Sequence, residues 1–240
     1  MNNFVNMIQS NSKIKIRSWK LSDSEDVWTV LKEGSFSNIN SAFILCLRKL
    51  FVRGISTILF GLGIWNGFSP LTFVFLAILG IILIYLVCFI GTLVYLYVSY
   101  LQDIKNMKEY YFDKQDHHFW VAEYNGEIVG TIGIVQKVSQ LPGSPFNDHT
   151  EANIKKVAWL RRMAVKNKFR GMGIAKLLVN KTIEFCVEQN YDGIFLITTE
   201  VHHAARALYA RMGFHLAACK PYKYLKGLVV VETFEFIMNL

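Results

Sequence analysis

Residues 54–102 contain no lysine, arginine, aspartate or glutamate, a run of 49 positions without a formal charge. A soluble core is assembled from short segments separated by charged turns, so an uncharged stretch of this length does not read as one. Eighteen or more apolar residues in succession read as a bilayer-spanning helix, and the run is assigned to a membrane. As one helix it would measure about 74 Å at 1.5 Å per residue, more than twice the roughly 30 Å hydrocarbon core. It is interrupted at Asn66-Gly67-Phe68-Ser69-Pro70, where glycine and proline mark a turn or break. Residues 71–100 are long enough to span with tilt. Residues 55–65 are short, unless Leu50 and Phe51 join them while Arg53 snorkels to the interface. Periodicity leaves open a helical hairpin, a re-entrant segment or a single span with an interfacial helix. Arg48, Lys49 and Arg53 precede the run and Lys105, Lys108 and Lys114 follow it. Near-equal basic flanks are what two ends on the cytosolic side would show. Met1–Ser12 is polar and lacks the apolar stretch of a secretory leader, and no lipidation motif stands at either end, so neither is expected.

The soluble parts lie on both sides of this run. The whole chain is 52% hydrophobic and 18% charged, which excludes a disordered chain of low hydrophobicity and high charge. The net charge of +8 divides equally between residues 1–53 and 103–240. Cys46, Cys88, Cys186 and Cys219 match no zinc, redox or disulfide spacing and read as free thiols of a reducing compartment.

Outside the run the pattern is mixed α/β. Residues 13–19 alternate as an edge strand, with Ile14 and Ile16 opposite the basic side chains. Ser22-Asp23-Ser24-Glu25 has the form of a capping box and predicts a helix to about Lys32. His117 and His118 read as surface residues before a strand at 119–123. Asn125-Gly126 is a hairpin turn leading to a strand at 128–135. Residues 141–153 form a loop, 157–165 a strand, 171–188 a helix, 193–199 a strand, 203–212 a helix and 229–237 a closing strand. The organisation is therefore 13–49 as the first strand and helix of a domain, 50–101 as a membrane segment and 102–240 as the rest of that domain.

The strand at 157–165 runs into Lys166-Asn167-Lys168-Phe169-Arg170-Gly171-Met172-Gly173-Ile174-Ala175. Glycines in such a loop let backbone N–H groups approach a phosphate, and the following helix adds its positive dipole end. A plain strand-to-helix turn has the same pattern. No Gly-Lys-Ser/Thr makes it a Walker loop, and no acidic residue makes it a dinucleotide fingerprint. A second element follows: His202-x-x-Ala205-x-x-Leu208-Tyr209-x-x-x-Gly213-Phe214.

Arg-x-x-Gly-x-Ala followed by this second helix resembles the GNAT superfamily of acyl-CoA N-acyltransferases. The apolar insertion after the first strand and helix is similar to the camello-like branch. So are Phe119-Trp120-Val121-Ala122-Glu123, Leu160-Arg161-Arg162-Met163 and Gly171-Met172-Gly173-Ile174-Ala175-Lys176. The resemblance covers about residues 13–240. It implies an α/β fold with a GNAT-like mixed central sheet flanked by helices, carrying an inserted membrane hairpin or re-entrant segment.

It also implies a mechanism. Acetyl-CoA, the co-substrate, would lie where two central strands splay. Backbone groups of Met163, Ala164 and Val165 would pair with the pantetheine arm, and the amides of Phe169, Arg170, Gly171, Met172, Gly173, Ile174 and Ala175 would hold the pyrophosphate. The acceptor amine would attack the thioester directly, with donors near the splay stabilising the oxyanion. Tyr209 would protonate the leaving thiolate, since a phenol of pKa about 10 is protonated at neutral pH. Glu200 and His202 are candidates for the base, with His203 a weaker one. Neither histidine pair has a third ligand at metal spacing, so no metal is expected. Residues 155–170 hold seven basic residues and no acid, which suits CoA phosphates; no nucleic-acid partner is expected. Arg161 and Arg162, consecutive on one strand, should face opposite sides, and one of them is available for an acceptor carboxylate. The reading is a membrane-anchored N-acetyltransferase of a small amine of the cysteine S-conjugate or aspartate type, in the endoplasmic reticulum membrane and facing the cytosol. Peptidyl lysine as acceptor, or a silent membrane adaptor, are the alternatives.

Overall fold

The computed structural model describes residues 13–52, 54, 61, 63–65, 67, 69–136, 156–224 and 229–240. The loop expected at 141–153, most of the short apolar leg at 55–65, Arg53 and the N-terminal residues 1–12 lie outside these. The chain divides into two compact units, 1–34 with 100–240, and 35–99.

The first unit is a seven-stranded sheet in the order β1-β2-β3-β4-β5-β7-β6. The strands are β1 (Ile14–Ser18), β2 (His118–Tyr124), β3 (Glu127–Gln136), β4 (Val157–Val165), β5 (Gly193–Thr199), β6 (His215–Tyr224) and β7 (Val229–Asn239). Strands β4 and β5 are parallel, and the other neighbouring pairs are antiparallel. The β2–β3 turn places Asn125 and Gly126 at φ 51° and 83°, the two left-handed residues that a two-residue hairpin requires. Helix α1 (Ser24–Phe36) follows β1. Its start differs from the expected capping box. Asp23 rather than Ser22 organises it, accepting the Lys20 N–H at 2.8 Å and pairing with Arg17 at 2.7 Å. The Arg17 guanidinium beside it holds the Asp23 carboxyl below its usual range.

Two apolar layers cover the sheet. On one face Ile132, Ile134, Leu160, Ile194, Leu196 and Phe236 pack with Leu178 and Tyr209. These last two come from α6 (Ile174–Glu188) and α7 (His203–Arg211), which are numbered after the helices of the insertion. On the other face Val121, Val135, Trp159 and Phe195 pack with Val27, Val30 and Leu31 of α1 and with Tyr111.

The second unit holds α2 (Ile39–Val52) and α3 (Pro70–Val94). Ser69 caps α3 by accepting the Thr72 N–H at 3.3 Å, and Pro70 occupies the first turn, where its missing N–H costs nothing. The apolar stretch Pro70–Tyr97 has 28 residues, long and apolar enough to cross a membrane by length and composition. Helix α2 packs on α3 through Phe43 and Tyr85, ring centroids 5.3 Å apart, and through Cys46 and Cys88, Sγ atoms 3.8 Å apart. No hairpin or re-entrant loop is defined among the described residues. After a π-wound segment, Tyr95–Tyr100, come α4 (Leu101–Lys105) and α5 (Met107–Tyr111), which belong to the sheet unit.

Candidate active site

Strands β4 and β5 pair over three residues, Val157–Trp159 against Gly193–Phe195. Beyond that point β4 continues to Val165 and β5 to Thr199 without bridging each other. The sheet therefore opens in its middle. Along 160–165 β4 is not bridged to β5, although Leu160, Arg161, Ala164 and Val165 remain in register with β3 on the other side. A strand edge at such an opening is where an extended ligand arm can add its own backbone-like groups.

The opening has a bulge beside it. Gly133 of β3 stands opposite Arg161 and Thr131 opposite Ala164, so Arg162 and Met163 face the single residue Ile132. Arg162 takes φ 56°, and the Thr131 hydroxyl donates to its carbonyl at 2.8 Å. The bulge overturns the alternation expected for the two arginines: both guanidiniums reach Asp103 of α4. Arg162 grips it with two bonds, Nε to Oδ2 at 2.8 Å and Nη2 to Oδ1 at 2.9 Å. Arg161 Nη2 lies 3.7 Å from Oδ2, its Nη1 donates to the Tyr110 hydroxyl at 2.9 Å, and its Cζ sits 4.2 Å over the Trp159 ring. Tyr111 donates to Asp103 Oδ2 at 2.7 Å, and burial together with that carboxylate pushes its phenol well above the usual range. Asp103 carried no motif; it is merely the first charge after the apolar run.

The glycine loop follows β4. Asn167–Phe169 is a 3₁₀ turn, and Phe169 is buried under the sheet. Two of the expected amide donors are used inside this turn, Phe169 N–H to Lys166 O at 3.0 Å and Arg170 N–H to Asn167 O at 3.2 Å. That narrows the cradle to the segment from Gly171 to Ala175. Gly171 and Gly173 have φ 82° and 79°, a conformation that disfavours any residue with a Cβ. Gly173 precedes α6 and no side chain caps the helix start, so the first helical amides have no intrahelical partner. Nothing lies within 4 Å of where a Gly171 Cβ would be. Open space, backbone donors and a helix N-terminus together fit a pyrophosphate. The basic stretch is less free than its sequence suggests: Lys156 pairs with Asp116 at 3.1 Å and Lys166 with Glu127 at 2.7 Å.

Tyr209 lies on α7 against Phe214 and Phe236 and is buried. Glu200 follows β5; its Oε1 accepts the Glu232 N–H at 2.8 Å while its own N–H bonds Glu232 O at 2.9 Å. Its carboxylate thus fastens the start of β7. His202 stands at the start of α7 with Nδ1 2.8 Å from the Thr199 hydroxyl. Burial, then Arg170, Arg206 and His203, push its pKa down to about 4, so the ring is neutral at physiological pH and has a nitrogen lone pair able to accept a proton. His203 Nδ1 is 2.7 Å from Arg206 Nη2. His117 and His118 are not surface residues. His117 is buried with Nδ1 2.8 Å from Tyr110 O, and the His118 ring lies tilted against Trp120, centroids 4.5 Å apart; burial lowers the pKa of both. Among the described residues no three His, Cys, Asp or Glu side chains gather as a metal site.

The family model for the GNAT acetyltransferases matches residues 89–214, more than half of the chain and all of this geometry from β2 to α7. The chain belongs to the GNAT family. Its members are acetyl-CoA-dependent acyltransferases, and acetyl-CoA is the co-substrate typical of the fold. Among curated relatives the chain is 30% identical to N-acetylaspartate synthetase from Danio rerio over 86% of this chain and 68% of the relative. It is 33% identical to N-acetyltransferase 8 from Rattus norvegicus over 58% of this chain and 57% of the relative. These relatives place it with the camello-like branch. The crystal structure of an N-acetyltransferase from Staphylococcus aureus Mu50 shares the fold at a TM-score of 0.51 and 12% identity, covering 94% of this chain and 98% of that one.

Proposed function

We propose that the chain is a membrane-anchored N-acetyltransferase that moves acetyl from acetyl-CoA to the primary amine of a small carboxylate-bearing molecule, of the aspartate or cysteine S-conjugate type. The observation that supports this reading is the charge at the open edge of β4. Two guanidiniums, Arg161 and Arg162, share one carboxylate, Asp103. Arg162 is committed to it by both of its bonds. Arg161 is held more loosely, and its positive charge is the surplus that an acceptor carboxylate neutralises. Met163, Ala164 and Val165 offer backbone groups to the pantetheine arm, and Gly171 to Ala175 offer theirs to the pyrophosphate. Tyr209 protonates the leaving thiolate. His202, neutral and beside Thr199, is the better placed of the two base candidates, because the Glu200 carboxylate is engaged by β7. A panel of amines offered with acetyl-CoA to the purified chain tests the reading. Thiol release with amino acids, and none with their decarboxylated counterparts or with lysine peptides, is the expected pattern.

The sheet supports one membrane arrangement. Strand β1, before the apolar run, pairs with β2, after it, from Ile14↔Tyr124 to Ser18↔Trp120. A strand does not pair across a bilayer, so both ends of the run lie on one side. In this reading the run crosses an even number of times, as a hairpin with α3 as one leg, or re-enters. Acetyl-CoA supply and four free cysteines favour the cytosolic side, with the endoplasmic reticulum as the membrane. Equal protease access to tags at both ends in sealed microsomes is expected; opposite access overturns the hairpin.

A further inference from the structure

Three acidic side chains among the described residues are buried: Asp23, Asp103 and Glu235, at 6%, 2% and 4% exposure. The first two are met by guanidiniums that are themselves largely buried, Arg17 and Arg162. Glu235 is compensated differently. Its partner is Lys220, whose Nζ lies 2.7 Å from Oε1 while the lysine side chain is 58% exposed. Lys220 stands on β6, the edge strand, and reaches over from the solvent side. A buried carboxylate is costly unless paired and hydrogen-bonded. A single solvent-facing lysine is weak compensation for one placed mid-strand in β7.

Its position in the sheet gives that carboxylate a use. Glu235 is paired with Ile197 of β5, and Ile197 is two residues past Phe195, the last β5 residue bridged to β4. On the other side of the opening Arg161 is two residues past Trp159, the last β4 residue bridged to β5. Alternation places Ile197 and Glu235 on the face of Phe195, and Arg161 on the face of Trp159. Trp159 and Phe195 share one face, because they pack in the same apolar layer. Across the sheet at this level the order is therefore Arg161, the opening, Ile197, Glu235. A cation and an anion flank the gap on one face. Adjacent paired strands are about 4.8 Å apart, so the two side chains start from backbones roughly two strand spacings apart, with Ile197 on the same face between them.

We propose that Glu235 is a specificity-determining residue that receives the ammonium group of the acceptor, as Arg161 receives its carboxylate. The site is then selective for zwitterions that carry an ammonium and a carboxylate on the same carbon, as an α-amino acid does. Lys220 holds the carboxylate in place between turnovers and gives way to the incoming ammonium. This rests on the acetyl-transfer reading given above.

The test uses the full chain in detergent or nanodiscs, with an amino-acid acceptor and with hydroxylamine, a nitrogen nucleophile uncharged at neutral pH. Wild type, Glu235→Gln and Lys220→Met are compared. Glu235→Gln is expected to raise KM for the amino acid about ten- to a hundredfold, the range for losing a hydrogen bond to a charged group. The KM for acetyl-CoA and the rate with hydroxylamine are expected to stay near wild type. Lys220→Met is expected to lower the amino-acid KM, because no lysine ammonium then competes for Glu235. An unchanged amino-acid KM in Glu235→Gln overturns the assignment. So does an equal loss in Glu235→Gln and Lys220→Met with both nucleophiles, which is the behaviour of a structural ion pair. If Glu235→Gln does not fold, Lys220→Met decides: a lowered amino-acid KM supports the proposal and an unchanged or raised one overturns it. Absence of any wild-type acetyl transfer overturns the acetyl-transfer reading itself, and is distinct from a wild-type enzyme that is active but indifferent to Glu235.

Discussion

Asp103→Asn removes one charge from the centre of the β4 bulge while keeping the shape of the side chain. The native carboxylate accepts two bonds from Arg162, at 2.8 and 2.9 Å, and one from Tyr111 at 2.7 Å, and Arg161 stands 3.7 Å away. The amide retains one acceptor oxygen and offers N–H groups where a guanidinium N–H already points. Two largely buried guanidiniums then lose their counter-charge. Breaking a buried pair by removing one partner typically costs about 3–5 kcal/mol. For a domain of 150–250 residues each kcal/mol lowers Tm by roughly 2–4 °C, so the expected drop is about 6–20 °C. Thermal unfolding of the detergent-solubilised chain, followed by circular dichroism, measures it. The double variant Asp103→Asn/Arg162→Met provides the control, because removing both partners costs less than removing one. Arg162 sits at φ 56°, a strained conformation for a non-glycine residue, so the bulge relaxes when its clamp is lost and turnover falls with stability. A Tm within about 2 °C of wild type, roughly 1 kcal/mol or less, would refute the reasoning that Asp103 holds the bulge.

Gly173→Asp is expected to abolish CoA binding while the protein stays membrane-bound: it puts a Cβ at φ 79° and a carboxylate against the pyrophosphate. CoA affinity within a few-fold of wild type, by calorimetry, removes the loop from the account. Tyr209→Phe is expected to lower kcat about 10²–10⁴-fold, the usual contribution of a general acid, with KM for acetyl-CoA nearly unchanged; near-normal kcat assigns the proton to another donor. His117, His118 and His202 all have folded pKa values below the 6.5 of the free side chain. The unfolded chain therefore binds more protons as the pH falls, and the stability they contribute is present above pH 6.5 and lost as pH drops toward 4. The urea midpoint should be lower at pH 5 than at pH 7.5, and an equal or higher midpoint at pH 5 contradicts their burial.

The elements legible in the sequence share a physical reason. Strands β4 and β5 have the bounds expected, because each carries a run of apolar residues stopped by a basic loop or a turn, Val157–Leu160 opening β4 and Ile194–Ile197 filling β5. The Asn125-Gly126 hairpin was readable because few dipeptides take two left-handed residues. Strand β6 was not legible. Its Lys220-Pro221-Tyr222-Lys223 stretch reads as loop, yet it lies at the sheet edge, where a proline without an N–H is tolerated. Helix α2 was hidden by Arg48 and Lys49, which drew the apolar boundary inward. At the site, the glycine loop announced itself through residue types, but the pairing of Arg161 and Arg162 on one carboxylate did not. It depends on one inserted residue in β4 and on a distant aspartate 59 positions from Arg162, and no local pattern encodes either. Glu235 was hidden for the same reason: within Val229–Asn239 it looks like a solvent-facing residue of an alternating strand.

Acetyl transfer itself is tested most directly by giving the purified full chain acetyl-CoA labelled in the acetyl group together with a mixture of amino acids, and locating the label by mass spectrometry. The account predicts label on the amine nitrogen of an amino acid that retains its carboxylate, with equimolar release of CoA thiol. Label confined to acetyl-CoA and free acetate, or carried chiefly by lysine side chains of added peptides, would contradict it.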